Sequence, residues 1–413
     1  MHKKFLIISQ VFPPDPAAVG QYFDEAAQAL RKMEVEVTIL TSRRGYDNPN
    51  QRFESFEDRN GVAVQRLPVS SFGKASMPLR IFGQLLFLLQ CMLRGLRMPG
   101  LTDLLISTSP PMGGIAALLI ACLRPSVKVH YWVMDLNPDQ AVAQGVFSSR
   151  HVLVRAMNWL NRRILKRANT VIALDRFMAE RVQEKVSSST RQAAGAQEAR
   201  SVLILPPWPM QTYWGPPGRD ENPFRVAHGL EGKFVVMYSG NHSIVHPLAT
   251  VLDAADQLRE DARFAFVFIG GGTGKREVEA RAIQNPIIQF LPYQPLEQIQ
   301  ESLSAADLHV VTLGDAMNGI VHPCKIYGAM QVERPILYLG PTPSYVTDMM
   351  ATQEIGWRVA HGDVAGTVKI LKQAVEMHDH ECMAMGLRAK DLVETQFNRE
   401  ALLRQFVSSI GSV

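Results

Sequence analysis

The sequence predicts a two-domain α/β protein in which each domain is a parallel sheet covered by helices. Three observations carry that prediction. The chain has 413 residues, which exceeds one ordinary core and suits two of about 200 each. Short, almost wholly apolar runs alternate with longer helix-period stretches, the pattern of βαβ units whose strands are buried on both faces. A segment rich in Pro, Gly and Trp, residues 205–223, interrupts the alternation, which then restarts. Two Rossmann-like domains joined near residue 210 follow.

In chain order, the strand candidates of the first half are KFLIIS, VEVTIL, DLLIST, VKVHYWVM, TVIAL and VLIL. Those of the second half are FVVMYSG, FAFVFIG, IIQFLP, DLHVVTL and PILYLG. Helix-period segments lie between many of them, for example 21–33, 152–168, 248–259 and 296–304. The small, polar stretch 187–199 reads as a mobile surface loop. No short-period repeat of solenoid type is visible.

Apolar residues make up 46% of the chain and charged residues 20%, which excludes disorder as the main state. The net charge of +4 is mildly basic and carries no nucleic-acid signature. Cys91, Cys122, Cys324 and Cys382 are far apart and form no CxxC pair, so reduced cytosolic thiols are expected rather than zinc or a disulfide framework. The opening MHKKFLIISQVFPP places basic residues before an apolar run, but Pro13-Pro14 cuts the run short and no clean cleavage site follows. It reads as a buried first strand. No apolar stretch reaches the roughly 18 residues of a spanning helix.

In open α/β sheets ligands bind beyond the carboxyl ends of the strands, and a cleft between two facing domains is the default site. Gly20 follows the first strand and serves either a plain turn or a close substrate contact. Asp135, in WVMDLNPDQA, is placed for polar work or caps the next turn, and Asp139 reads as a surface acid. Gly240 and Asn241 make a tight turn, and His246-Pro247 leads into a helix, so turn and helix start suit a phosphate-sized anion. His246 either faces a diphosphate or caps that helix. Gly270, Gly271, Gly272 and Gly274 resemble a phosphate loop without the GxxxxGK[ST] spacing, and Lys275 reads as a surface lysine. The most informative piece is NGIVHPCKIYGAMQVERPILYLG, 318–340, in which a loop enters a helix near Pro323 with Lys325 in its first turn. A cation there opposes the helix dipole unless an anion meets both.

Taken in order, FPPDPAAVGQYF, WVMDLNPDQA, ANTVIALDRFM, NPFRVAHGLEGKFVVMYSGNHSIVHPLATVLDAA, FIGGGTGK, FLPYQPLEQIQESLSAADLHVVTL and GIVHPCKIYGAM resemble the family 4 retaining glycosyltransferases of the GT-B fold. The resemblance is closest to bacterial members that build surface polysaccharides such as colanic acid and O-antigen. It implies two Rossmann-like domains facing across a cleft: an acceptor domain over 1–210, a nucleotide-sugar domain over 211–395, and a C-terminal helix over 396–413 packing back toward the first domain. It implies Pro292 and Tyr293 near the nucleobase, amides of Gly319, Ile320 and Val321 near sugar and phosphates, and Lys325 on the donor phosphates. Gly20 would approach the diphosphate, and Asp135 the reacting groups. The family's paired glutamates are missing, with Asn318 and Gly328 about where they fall. Its usual Arg and Lys after the donor domain's first strand appear as Asn241 and His246.

The expected activity is transfer of a sugar, with retention, from a nucleoside diphosphate donor such as a UDP-sugar to a lipid-linked (undecaprenyl) or polysaccharide-precursor acceptor. No DxD compels a metal, and no cofactor is expected beyond the donor itself. A phosphate oxygen or Asp135 takes the acceptor proton. Residues 77–98, flanked by Arg80, Arg94 and Arg97, and 152–168, with Arg155, Arg162, Arg163, Lys166 and Arg167, either lay the first domain on an anionic membrane at the cytoplasmic face or are core helices with a solvated basic side. The competing readings are a nucleotide-sugar epimerase of the same architecture and a non-catalytic donor-binding relative. A nicotinamide dehydrogenase lacks its fingerprint glycines here.

Overall fold

A computed structural model describes residues 3–15, 17–45, 50–69, 77–110, 112–187, 202–210, 218–219 and 221–411. Apart from Ser187, the stretch 187–199 lies outside them, as does the Arg80 side chain. The chain divides into two compact units, Met1–Met210 with Glu400–Val413, and Gln211–Arg399.

The first unit runs β1 (Lys4–Ile8), α1 (Ala18–Lys32), β2 (Glu36–Ser42), β3 (Phe56–Arg59), β4 (Val62–Leu67), α2 (Met77–Arg97), β5 (Asp103–Ser107), α3 (Gly114–Leu123) and β6 (Lys128–Val133). It continues with α4 (Asp139–Ala143), α5 (Val152–Arg167), β7 (Thr170–Ala173), α6 (Arg176–Ser187) and β8 (Leu203–Ile204). Among the described residues the strands form one sheet in the order β3-β4-β2-β1-β5-β6-β7-β8. All neighbours are parallel except β3 and β4. That hairpin was not expected, because FEDR and VAVQRL are too polar to read as buried strands. Its turn is Asn60-Gly61, both at positive φ (54° and 83°), the pair a two-residue primed turn requires.

The second unit runs α7 (Pro223–Ala227), β9 (Phe234–Asn241), α8 (Ala249–Gln257), β10 (Phe264–Gly271), α9 (Lys275–Gln284), β11 (Ile288–Leu291), α10 (Ile299–Ser304) and β12 (Leu308–Thr312). After these come α11 (Lys325–Gln331), β13 (Ile336–Leu339), α12 (Tyr345–Thr352), β14 (Gly356–Val359), α13 (Val364–Glu376) and α14 (Met383–Thr395). Its sheet is wholly parallel, in the order β11-β10-β9-β12-β13-β14. Phe234, Val236 and Tyr238 of β9 pack with Phe264, Phe266 and Phe268 of β10 in its core. At the opposite end from the strand tips, Asp307 binds Arg225 at 3.1 Å, Arg219 at 3.3 Å and the Val235 amide at 2.7 Å, so that buried charge is paired on every side.

The last helix, α15 (Arg399–Gly411), belongs to the first unit. Its Phe406 ring lies 4.4 Å from Trp132 and 5.4 Å from Trp208. Trp208 is fully buried and donates its indole N–H to Glu25 at 2.5 Å. The start of the segment 205–223 is therefore core, not linker.

Gly20 sits in the first turn of α1. A β-carbon there would lie 2.9 Å from both the Phe12 Cα and the Val11 carbonyl oxygen. The glycine lets the helix press against the loop leaving β1. Gly20→Ala should cost about 1–3 kcal/mol through overpacking and lower Tm by roughly 2–4 °C per kcal/mol. A variant that melts like the parent would remove this packing role.

Candidate functional site

In the second unit, β9 is the central strand. The chain builds outward to β10 and β11, then returns to add β12, β13 and β14 on the other side. The order reverses between β9 and β12, where open α/β sheets bind ligands. These two strands pair only at Val236–Leu308 and Met237–His309. On the other side β9 stays paired with β10 as far as Asn241–Gly271. Beyond Met237 the two middle strands part, and the gap between their tips is the candidate site.

His246 crosses that gap, its Nδ1 lying 2.7 Å from the Thr312 carbonyl oxygen. A carbonyl only accepts, so Nδ1 carries the proton and Nε2 is left as an acceptor. Burial, helped by Lys325, pushes its pKa down to about 3, against the opposing pull of the Thr312 bond. His246 is thus a neutral imidazole that braces the crevice. It does not cap α8, which begins at Ala249 after Leu248 without a side-chain cap, and Pro247 lies before that cap rather than in the first turn.

Lys325 is the first residue of α11, two residues later than the expected helix start near Pro323. Its stem fills the space a β-carbon of Gly240 would need, and Gly240 has φ 142°, which a side chain would also forbid. The Lys325 ammonium lies 5.4 Å from the centre of the Tyr238 ring. Burial pushes its pKa down to about 8, against the opposing pull of the neighbouring Cys324 thiol. A half-buried cation that no carboxylate meets among the described residues is a costly arrangement that an arriving anion relieves.

The other donor-side candidates of this unit divide into two groups. Gly240, Asn241, Gly271 and Tyr293 come together with His246 and Lys325 around the tips of β9 and β10. Asn241 Oδ1 and the His242 carbonyl occupy the space beside Gly272, whose φ of 122° leaves no room for a side chain. The Tyr293 ring lies 3.3 Å from the β-carbon positions of Gly270 and Gly271, and the residue is 60% exposed, as a platform would be. Pro292 beside it is exposed. The second group is the loop entering α11. Gly319 takes a left-handed φ of 68°, but the Ile320 and Val321 amides both donate to the Met317 carbonyl, at 2.9 and 3.1 Å. Those two amides are turned inward here. Asn318 donates to the Pro343 carbonyl at 2.9 Å. Lys275 pairs with Glu279 at 3.2 Å on the surface of α9.

Asp135 and Gly20 lie in the first unit. Asp135 follows β6, and its backbone N–H donates to Thr108 Oγ1 at 3.0 Å, beside the end of β5. Asp139 forms a salt bridge to Lys185 at 2.7 Å rather than standing alone.

Two features were missed in the sequence. His242 is fully buried between Tyr238 and Phe290, and neither ring nitrogen makes a regular hydrogen bond. Burial lowers its pKa, the Ile269 backbone opposes this, and Lys325 adds to it. The other is a hydroxyl chain behind the Lys325 loop, from His322 Nε2 to Tyr327 OH at 3.0 Å and on to Tyr345 OH at 2.9 Å. The spacing H-x4-Y within GIVHPCKIY is the one local signal that could have pointed to it.

Residues 17–194 match the family described as "Glycosyl transferase 4-like domain". The chain is similar to the "Probable glycosyltransferase WbjE" of Pseudomonas aeruginosa, at 23% identity over 68% of each chain. It is also similar to WcaI of Escherichia coli (strain K12), whose name assigns it provisionally to colanic acid biosynthesis, at 26% identity over 44% of each chain. Among solved structures, HepE of Anabaena in complex with UDP and glucose superposes over 100% of both chains with a TM-score of 0.69 at 14% identity. That last likeness is one of fold.

An anion that needs the charged form of Lys325 should bind with constant affinity well below pH 8 and progressively more weakly above it. The limiting slope is about tenfold per pH unit. Calorimetric titration with UDP across this range checks the sign, and Lys325→Met should flatten the curve. A slope that survives in Lys325→Met would assign the effect to another group.

Proposed function

We propose that this GT-B chain, a family 4 glycosyltransferase related to enzymes of polysaccharide biosynthesis, takes a hexosyl group from a UDP-sugar and passes it with retention to a lipid-linked or polysaccharide-precursor acceptor. The observation that carries the reading is the half-buried ammonium of Lys325, met by no carboxylate among the described residues, at the switch point of the second sheet. Breaking the bond between the sugar and its diphosphate leaves negative charge on the phosphates. A preorganised cation in a site of low dielectric stabilises that charge without a metal ion. The HepE complex with UDP and glucose supports the donor class, since the two proteins share a fold.

In this proposal Lys325 holds the phosphates, Gly240 and Gly271 let the donor approach the backbone, and Tyr293 with Pro292 meets the base. Opening of the turn at Met317 would free the Ile320 and Val321 amides for the sugar and phosphates. His246 holds the crevice open as a neutral strut. The acceptor attacks the face that the diphosphate leaves. Its proton goes to a phosphate oxygen or to Asp135. A lipid-linked acceptor places the reaction at the cytoplasmic face of a membrane. A second reading, a donor-binding relative without turnover, is favoured by one observation: Asn318 stands where the family has a glutamate and is spent on the Pro343 carbonyl.

A UDP-sugar at 100 times its dissociation constant should stabilise the chain by about 2.7 kcal/mol in a thermal-shift screen. With the stabilising donor, Lys325→Ala should lower kcat/KM by about 100- to 1000-fold. NMR of the product should show the donor's anomeric configuration. Parent-like rates in Lys325→Ala would sink the assignment of that lysine. Donor binding with no product across acceptors would select the second reading, and an isomerised sugar from donor alone would select an epimerase.

A further inference from the structure

In the first unit the chain leaving β2 doubles back beside the end of β4. Arg44 and Arg52 are bridged as an antiparallel pair. On either side of that bridge the Phe53 N–H donates to the Arg43 carbonyl at 2.9 Å and the Gly45 N–H to the Gln51 carbonyl at 3.0 Å. The Arg43 N–H donates to the Leu67 carbonyl at 3.0 Å, and the Arg66 N–H to the Ser55 carbonyl at 2.8 Å. These bonds fasten the ribbon to the carboxyl end of β4 and gather Arg43, Arg44, Arg52 and Arg66 at one corner.

Two features of this corner are energetically awkward. Arg44 and Arg52 stand directly opposite each other. Residues so placed have β-carbons about 4.5–5.5 Å apart, and like charges there destabilise the pair. The second feature is Arg66, which is 3% exposed. Its Nη2 donates to the Pro13 carbonyl at 2.7 Å, in the loop leaving β1, and to Glu57 at 2.8 Å. Its Nε and Nη1 are buried and meet no acceptor. A donor on a charged group that is buried without an acceptor carries its desolvation penalty in full. The Phe53 ring covers this guanidinium, its centre 5.1 Å from Cζ. Glu57 is shared with Arg59 at 3.7 Å. Arg43 donates from Nε to the Phe53 carbonyl at 3.1 Å, and neither Arg43 nor Arg52 forms an ion pair among the described residues.

Crowded cations with unanswered donors are relieved by an anion placed among them. Guanidinium groups suit carboxylates and phosphates, which they meet with paired N–H bonds. The corner lies at the carboxyl ends of β2 and β4, the side on which open α/β sheets take ligands. In the proposed function the donor phosphates belong to Lys325 of the second unit, which leaves the acceptor to bear this charge.

We propose that Arg43, Arg44, Arg52 and Arg66 form an oxyanion site for the acceptor, filled by the carboxylate of an acidic sugar or by the phosphates of its carrier. The Phe53 ring turns aside as the anion enters, and Nε and Nη1 of Arg66 become its donors. The identity of the ligand rests on the proposed function; the affinity for an oxyanion does not.

The test is calorimetric titration of the full chain carrying Lys325→Met, which removes the cation of the second unit. The probes are inorganic pyrophosphate, glucuronate and, as the uncharged control, glucose. One or both anions should bind, and glucose should not. Arg52→Gln, at an exposed position, should weaken anion binding about tenfold. Without anion it should keep or raise Tm, because a like-charge pair is relieved. Arg66→Lys keeps the charge but loses the unanswered donors, and should weaken binding about as much. Phe53→Ala, which uncovers Arg66, should tighten it. Glucuronate binding assigns the site to an acidic sugar, and binding of pyrophosphate alone assigns it to the carrier. Binding of neither anion, or equal binding of glucose, overturns the proposal. So does anion binding that Arg52→Gln leaves at full strength, or that Phe53→Ala weakens at unchanged Tm. Anion binding without any sugar transfer by the parent leaves the site standing and removes the proposed function. Transfer by the parent with no anion bound in the Lys325→Met chain does the reverse.

Discussion

A half-buried lysine ammonium, with no carboxylate to meet it among the described residues, is the constraint that organises the carboxyl edge of the second sheet. Gly240 must lack a side chain because its φ of 142° strains one, and the end of the Lys325 stem takes up the space this leaves. Both nearby histidines are driven neutral, mainly by burial and partly by this charge. Because His246 is neutral, it can brace the Thr312 carbonyl without adding a second positive charge to the crevice. The arrangement is poorly solvated when empty, and that is the sense in which it is prepared for an anion.

Much of this was legible in the sequence, for reasons that can be named. Eleven apolar runs read as strands are strands, because parallel strands covered on both faces leave an unbroken apolar signature. The prominence of Lys325 was also visible, since a cation at a helix start is locally unfavourable. The strands β3, β4 and β14 escaped notice. FEDR, VAVQRL and GWRV lie at or beside sheet edges, where one face meets water and polar residues break the run. The burial of Trp208 was hidden because a Pro-rich segment looks like a connector whether or not its aromatic residue finds a core. His242 was invisible for a different reason. Nothing local says that an imidazole two residues past a glycine turn will be sealed between two aromatic rings.

The two units use the same sheet logic for different purposes. In the second, the reversal of strand order sits beside a charged group and short strand pairing, which leaves a crevice. In the first, β1 and β5 remain paired over four residues at the corresponding reversal. The unusual chemistry of that unit is instead beside the reversal, in the arginines gathered at the ends of β2 and β4. Fold alone would not distinguish these roles, because the function of each sheet lies in the side chains placed at its edge and on its faces.

The return of α15 to the first unit has a consequence for how the molecule is made. Phe406 closes the aromatic cluster formed by Trp132 and Trp208, yet it is separated from both by the whole of the second unit. On the ribosome, the side of the two indoles that Phe406 covers must therefore stay open until residue 406 has emerged. Domain-by-domain completion during synthesis is denied to this chain. A nascent fragment ending after residue 399 would present to chaperones an apolar socket that the finished protein never shows.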